Sequence, residues 1–104
     1  RFSYNLSQTL DEIRPVYEFN ETCQGTVPQA LTAFFESNSI EDAIRKAISL
    51  GGDADTLACI AGGIAEAFYG PLPVELSEKV KNLLTPDLLQ VVEEFYRRFM
   101  GYAV

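Results

Sequence analysis

Asp53 and Asp55, followed at once by Thr56, set three hard oxygen donors in a short span of chain. Mg²⁺ and similar cations take carboxylate and hydroxyl oxygens in near-octahedral geometry and usually keep several waters. Gly51-Gly52, just before them, allows the sharp bend that would gather the three oxygens. Residues 57–69 then run on small and apolar at helical spacing, so the donors stand at the mouth of a helix expected to be core. A simpler reading also fits: Asp53 or Asp55 caps that helix, and Thr56 is an exposed first-turn residue. Two features weigh against it. A cap needs one carboxylate, and a second beside it adds repulsion. A buried helix also brings both carboxylates near packed structure, where uncompensated charge is costly.

Other chemistries fail on residue type. The chain has no histidine, which removes His-based general bases, Ser-His-Asp and Cys-His nucleophiles, and His-ligated zinc. No Gly-Lys-Ser/Thr follows the glycines, so the turn is not a P-loop. It is not an EF-hand, because Leu57 falls where an oxygen ligand is needed and Ile64 where the loop needs Glu. No strand precedes the glycines, so there is no dinucleotide fingerprint. Cys23 and Cys59 are far apart, in no CxxC spacing, and read as reduced thiols of a cytoplasmic protein. In residues 20–26, Cys23, Gln24 and Thr26 could touch a ligand, but they read more readily as turn and cap residues. Tyr96-Arg97-Arg98-Phe99 reads as a solvated basic face flanking core aromatics.

The elements that must position these residues are helical throughout. Asn5 or Ser7 is expected to cap a short helix through Thr9, Leu10 and Ile13, which Pro15 ends. Thr26 caps the next, with Pro28 in its first turn and Ala30, Leu31, Phe34 and Phe35 on its apolar stripe. Ser39 caps a third, with Glu41 and Asp42 in the first turn and Ala43, Ile44, Ala47 and Ile48 facing inward. Gly51-Gly52 stops it. The fourth is expected from about Asp55 to Tyr69. Ala58, Gly62, Ala65 and Tyr69 lie on one face of it, where small residues admit a neighbouring helix, and Leu57, Ile60, Ile64 and Phe68 are expected to fill an adjacent face. It is apolar almost all round and should be the central, most buried element. A fifth helix covers residues 75–84. Thr85-Pro86 opens the last, whose stripe is Leu88, Leu89, Val92, Phe95, Tyr96 and Phe99, and Gly101 ends it. The expected fold is an all-α, compact orthogonal multi-helix bundle, one helical domain over residues 1–104.

Bulk properties agree. The 104 residues suffice for one compact domain, and 47% hydrophobic residues exclude a disordered chain. A net charge of −7 argues against nucleic acid and anionic membrane as partners and suits cations. No apolar run is long enough to predict a membrane span. The chain opens on Arg1 rather than Met, so we expect it to be cut from something longer.

Thr26-Val27-Pro28-Gln29-Ala30-Leu31, the amphipathic residues 41–50, Gly51-Gly52-Asp53-Ala54-Asp55-Thr56, and residues 61–70 with Pro73 together resemble the C-terminal part of ADP-ribosylglycohydrolases. That family includes the dinitrogenase reductase-activating glycohydrolases and the ADP-ribosyl-acceptor hydrolases. The resemblance covers roughly residues 17–73. It implies an all-α fold and two Mg²⁺ or Mn²⁺ ions at the floor of an ADP-ribose cleft. The reaction implied is hydrolysis of the bond linking ADP-ribose to a modified protein side chain or small acceptor. Asp53, Asp55 and Thr56 match the family's C-terminal metal ligands, and Gly51 and Gly52 would lie against substrate. The family's N-terminal half carries a Gly-Asp-containing first helix and a Thr-Asp-Asp ligand motif, and neither occurs here. The general base is not among the matching residues. Glu66 stands where many members have a small residue. The resemblance therefore implies a C-terminal fragment with one side of a binuclear site, inactive without the missing N-terminal half. The competing reading is a small helical interaction module, monomeric or self-associating, with a closed core and no metal.

Overall fold

The computed structural model describes residues 4–101. The fold is all-α, with no strand among the described residues. Its helices are α1 (Leu10–Ile13), continued by a 3₁₀ turn (Arg14–Val16), α2 (Val27–Phe35), α3 (Ile40–Ser49), α4 (Ala54–Tyr69), α5 (Val74–Leu83) and α6 (Pro86–Phe95), which runs into a π-helical turn (Tyr96–Met100). The chain divides into two compact units, Arg1–Tyr69 and Gly70–Val104.

In the first unit α1 begins at Thr9. The Glu12 N–H donates to Thr9 Oγ1 (3.2 Å) while the Thr9 N–H donates to Glu12 Oε1 (3.1 Å), a capping box. The expected cap at Asn5 or Ser7 is thus corrected. Asn5 Oδ1 instead accepts from both the N–H and the hydroxyl of Ser7, closing a turn of its own. α2 starts at Val27 with Pro28 in its first turn, as the sequence predicts. The Thr26 hydroxyl does not cap it. It donates back to the carbonyls of Thr22 (2.7 Å) and Asn20 (3.2 Å) and so ties the preceding loop to the helix. Ser39 caps α3 as expected, its Oγ accepting from the Asp42 N–H (3.0 Å).

α4 packs against both α2 and α3, so it is central, as predicted. Its buried row is Leu57, Ala61 and Ala65, one helical turn apart, rather than Ala58, Gly62, Ala65 and Tyr69. Nor is it buried all round: Cys59, Gly63 and Ala67 are exposed, and Phe68 is 71% exposed. Its neighbours cover one side of the helix and leave the other open. Gly62 keeps the role predicted for a small residue. A Cβ there would sit 3.3 Å from Ile44 Cγ1, so α3 comes close at that point. The unit's core joins Leu10, Ile13, Ala30, Ala33, Ala47, Leu50, Leu57 and Ala61, with Tyr17 and Ile60 packed against it.

In the second unit α5 begins at Val74, one residue earlier than expected, and α6 begins at Pro86 as predicted. The Thr85 hydroxyl donates to Asp87 Oδ1 instead of capping backbone. Arg97 and Arg98 both pair with Glu94 on the exposed face read from the sequence. Tyr96 is buried, but Phe95 and Phe99 are 50% and 70% exposed, so the flanking aromatics are not core.

Candidate metal centre

The end of α3 and the start of α4 are joined by Gly51 (φ +78°) and Gly52 (φ +62°), consecutive residues in the left-handed region. Few other residues tolerate that pair of conformations, and it reverses the chain in one step. Gly52 is also sterically committed. A Cβ there would lie 2.8 Å from Tyr17 Cε2 and 3.1 Å from the Glu18 carbonyl oxygen. The turn is thus pressed against the strip of chain that follows α1.

Asp53 opens α4, its backbone carbonyl accepting from the Leu57 N–H (3.1 Å). Its side chain is half-buried, whereas Asp55 and Thr56 are exposed. The Thr56 N–H, third in the helix, donates to Asp55 Oδ1 (2.9 Å), the bond a cap at position 53 would ordinarily accept. The carboxyl groups of Asp53 and Asp55 lie within hydrogen-bonding reach of each other. A hydrogen bond from the Asp53 carboxyl when it carries the shared proton, helped by the Thr56 N–H, holds the Asp55 carboxyl below the usual carboxylate range. The Thr56 hydroxyl makes no hydrogen bond among the described residues, and Thr56 follows Asp55 directly in the first turn of α4.

Among the described residues the basic side chains in ion pairs meet Asp11, Glu41, Asp42, Glu78 and Glu94, never Asp53 or Asp55. When both carboxyls are ionised, and no proton bridges them, the two like charges repel. Two carboxylates and a hydroxyl are donor types a hard divalent cation takes. No cluster of three or more His, Cys, Asp or Glu side chains suited to a metal occurs among the described residues. Asp53, Asp55 and Thr56 are donors of the type such a cation takes, short of a cluster of three acidic ligands.

Tyr17 was not singled out by the sequence. It packs against the core and abuts Gly52, and its hydroxyl donates to the Gly25 carbonyl (2.5 Å). Burial first, and the negative charge of Asp53 second, push its phenol above the ordinary tyrosine value. The only sequence signal was an aromatic residue directly after a proline-broken helix. The loop at 20–26 is braced internally: Asn20 Oδ1 accepts from the Thr22 N–H (2.8 Å), and Thr22 Oγ1 accepts from the Gly25 N–H (3.1 Å). Cys23 and Gln24 are exposed, and both cysteines are free thiols. Next to this loop, a cavity of about 330 Å³ is lined by Gln8, Ile13, Tyr17, Asn20 and Gln29, among others. The buried Gln29 Oε1 has no hydrogen-bond partner there.

The family model described as ADP-ribosylglycohydrolase matches residues 5–103. The chain belongs to the ADP-ribosylglycohydrolase family. It is 46% identical over 57 residues to the ADP-ribosylarginine hydrolase Tri1 of Pseudomonas putida strain GB-1, a stretch covering 53% of this chain and 15% of that protein. It is 46% identical over 48 residues to human ADP-ribosylhydrolase ARH3, covering 46% of this chain and 12% of that protein. An uncharacterized protein of Archaeoglobus fulgidus is 36% identical over 56 residues, covering 54% of this chain and 18% of that protein. The chain thus matches less than a fifth of the length of these relatives. No solved structure matches it. Among the described residues no helix is long and apolar enough to cross a membrane.

Proposed function

We propose that this chain is the C-terminal portion of an enzyme that hydrolyses the glycosidic bond between ADP-ribose and a modified protein side chain or small acceptor. In this reading Asp53, Asp55 and Thr56 hold one side of a binuclear Mg²⁺ or Mn²⁺ site, and the remaining ligands and the general base come from chain outside residues 1–104. The observation that carries it is two carboxylates in contact at the start of α4, with no ion pair to either among the described residues. Family membership supports the class of reaction, and the names of the bacterial and human relatives support ADP-ribosylated substrates.

When bound, such ions orient the ribose and activate or position the attacking water. The chain's own part is placement. Gly51 and Gly52 turn the backbone so that both carboxylates leave the same helix start. Asp55, kept ionised by its hydrogen bonds, presents a full negative charge to solvent. Thr56 adds a neutral oxygen, and Gly51, with open space beside its Cα, leaves room for a substrate to approach the backbone.

In a full-length protein carrying this chain, hydrolysis of ADP-ribosyl-arginine and ADP-ribosyl-serine peptides is measured with Mg²⁺, with Mn²⁺ and after chelation. Hydrolysis should vanish on chelation, return with the cation, and be abolished by Asp55→Ala. Turnover that survives both chelation and the substitution overturns the reading. The chain by itself should hydrolyse neither peptide.

A further inference from the structure

Two loops without regular structure meet at one side chain. The hydroxyl of Tyr17 donates to the Gly25 carbonyl (2.5 Å), at the end of the loop over residues 20–25. The edge of the same ring occupies the space a Cβ on Gly52 would need, 2.8 Å from that position. The ring itself packs against the core cluster. No hydrogen bond joins residues 51–56 directly to residues 20–26 among the described residues. The loops are each stiffened from within, one by the Asn20 and Thr22 bonds and the other by the entry into α4. The ring abuts Gly52 at one end and is hydrogen-bonded to the Gly25 carbonyl at the other, so a displacement of the turn bears directly on the bond to Gly25. Tyr17, Asn20 and Gly25 also line the 330 Å³ cavity, so a movement passed along this route reaches the cavity wall.

We propose that Tyr17 is a positioning residue that couples the acidic turn at residues 51–55 to the loop at residues 20–25, so that a cation held by Asp53 and Asp55 changes the geometry at Gly25. The role of the cation rests on the metal reading above, whereas the coupling itself does not.

Amide NMR of the 104-residue chain separates the two. The amides of residues 52–56 report the acidic turn, and those of Gly25 and Thr26 report the distant loop. Without cation, Gly52→Ala, and Asp53→Asn as a gentler disturbance, should shift the Gly25 and Thr26 amides as well as their own neighbours. Mg²⁺ should do the same. In a Tyr17→Phe background, which keeps the ring but frees the Gly25 carbonyl, every disturbance should still register at residues 52–56 and fall silent at Gly25 and Thr26. Circular dichroism checks that helix content is unchanged. Shifts at Gly25 that persist with phenylalanine, or that never appear with tyrosine, overturn the coupling. Mg²⁺ that moves nothing at residues 52–56 overturns the metal reading and leaves the coupling to the metal-free arm.

Discussion

Gly52 stands where conformation and packing meet. At Gly51 an added methyl has open space but a left-handed backbone, so Gly51→Ala should cost about 1 kcal/mol. At Gly52 the same strain is joined by the Tyr17 ring and the Glu18 carbonyl. Overpacking adds roughly 1–3 kcal/mol, so Gly52→Ala should lose at least about twice as much in urea unfolding. Equal losses would mean that Tyr17 simply yields. Asp55 poses the opposite test. Asp55→Asn keeps an oxygen for the Thr56 N–H and removes a charge from beside Asp53, so thermal stability should hold while divalent-cation binding falls. Stability lost with binding unchanged would return the pair to a capping role. The residue types at this turn were legible in the sequence because glycine and carboxylate each have a narrow set of uses. Tyr17 was not, since its role depends on a contact between positions far apart in the chain.

The helices were legible in type and order because capping and periodicity are local. Ser39 caps α3, so Ser39→Ala should cost about 1 kcal/mol by the same unfolding measurement. Within α3 the Lys46 ammonium (2.6 Å) and then the Asn38 N–H hold the Asp42 carboxyl below its usual range. A depressed folded value means a contribution fully present above the unfolded pKa and lost as pH falls through the folded one. The stability difference between the native chain and Asp42→Asn should therefore be constant near neutrality and shrink as pH drops below about 4. A difference that grows in acid would contradict the assignment. What the sequence could not give was which face of α4 meets its neighbours. Nearly every position of that helix is small or apolar, so several rows looked buriable, and packing by α2 and α3 selected Leu57, Ala61 and Ala65.

The whole chain bears on the two functional readings. A self-contained interaction module was expected to show a closed core. In the first unit, however, Phe34 packs edge-on to Phe68 and tilted against Phe35, and Phe35 and Phe68 remain 60% and 71% exposed. Such a cluster favours covering by further chain or by a second copy. By itself the chain should associate with rising concentration in sedimentation, and Phe68→Ser should weaken that association. A strict monomer at all concentrations would count against this. The central claim remains the acidic turn. Its most direct test is an EPR titration of the chain with Mn²⁺, beside Asp53→Asn and Asp55→Asn. Saturable binding of one ion per chain, lost in both variants, is the predicted result. Unsaturable, nonspecific binding that is the same in all three proteins would contradict it.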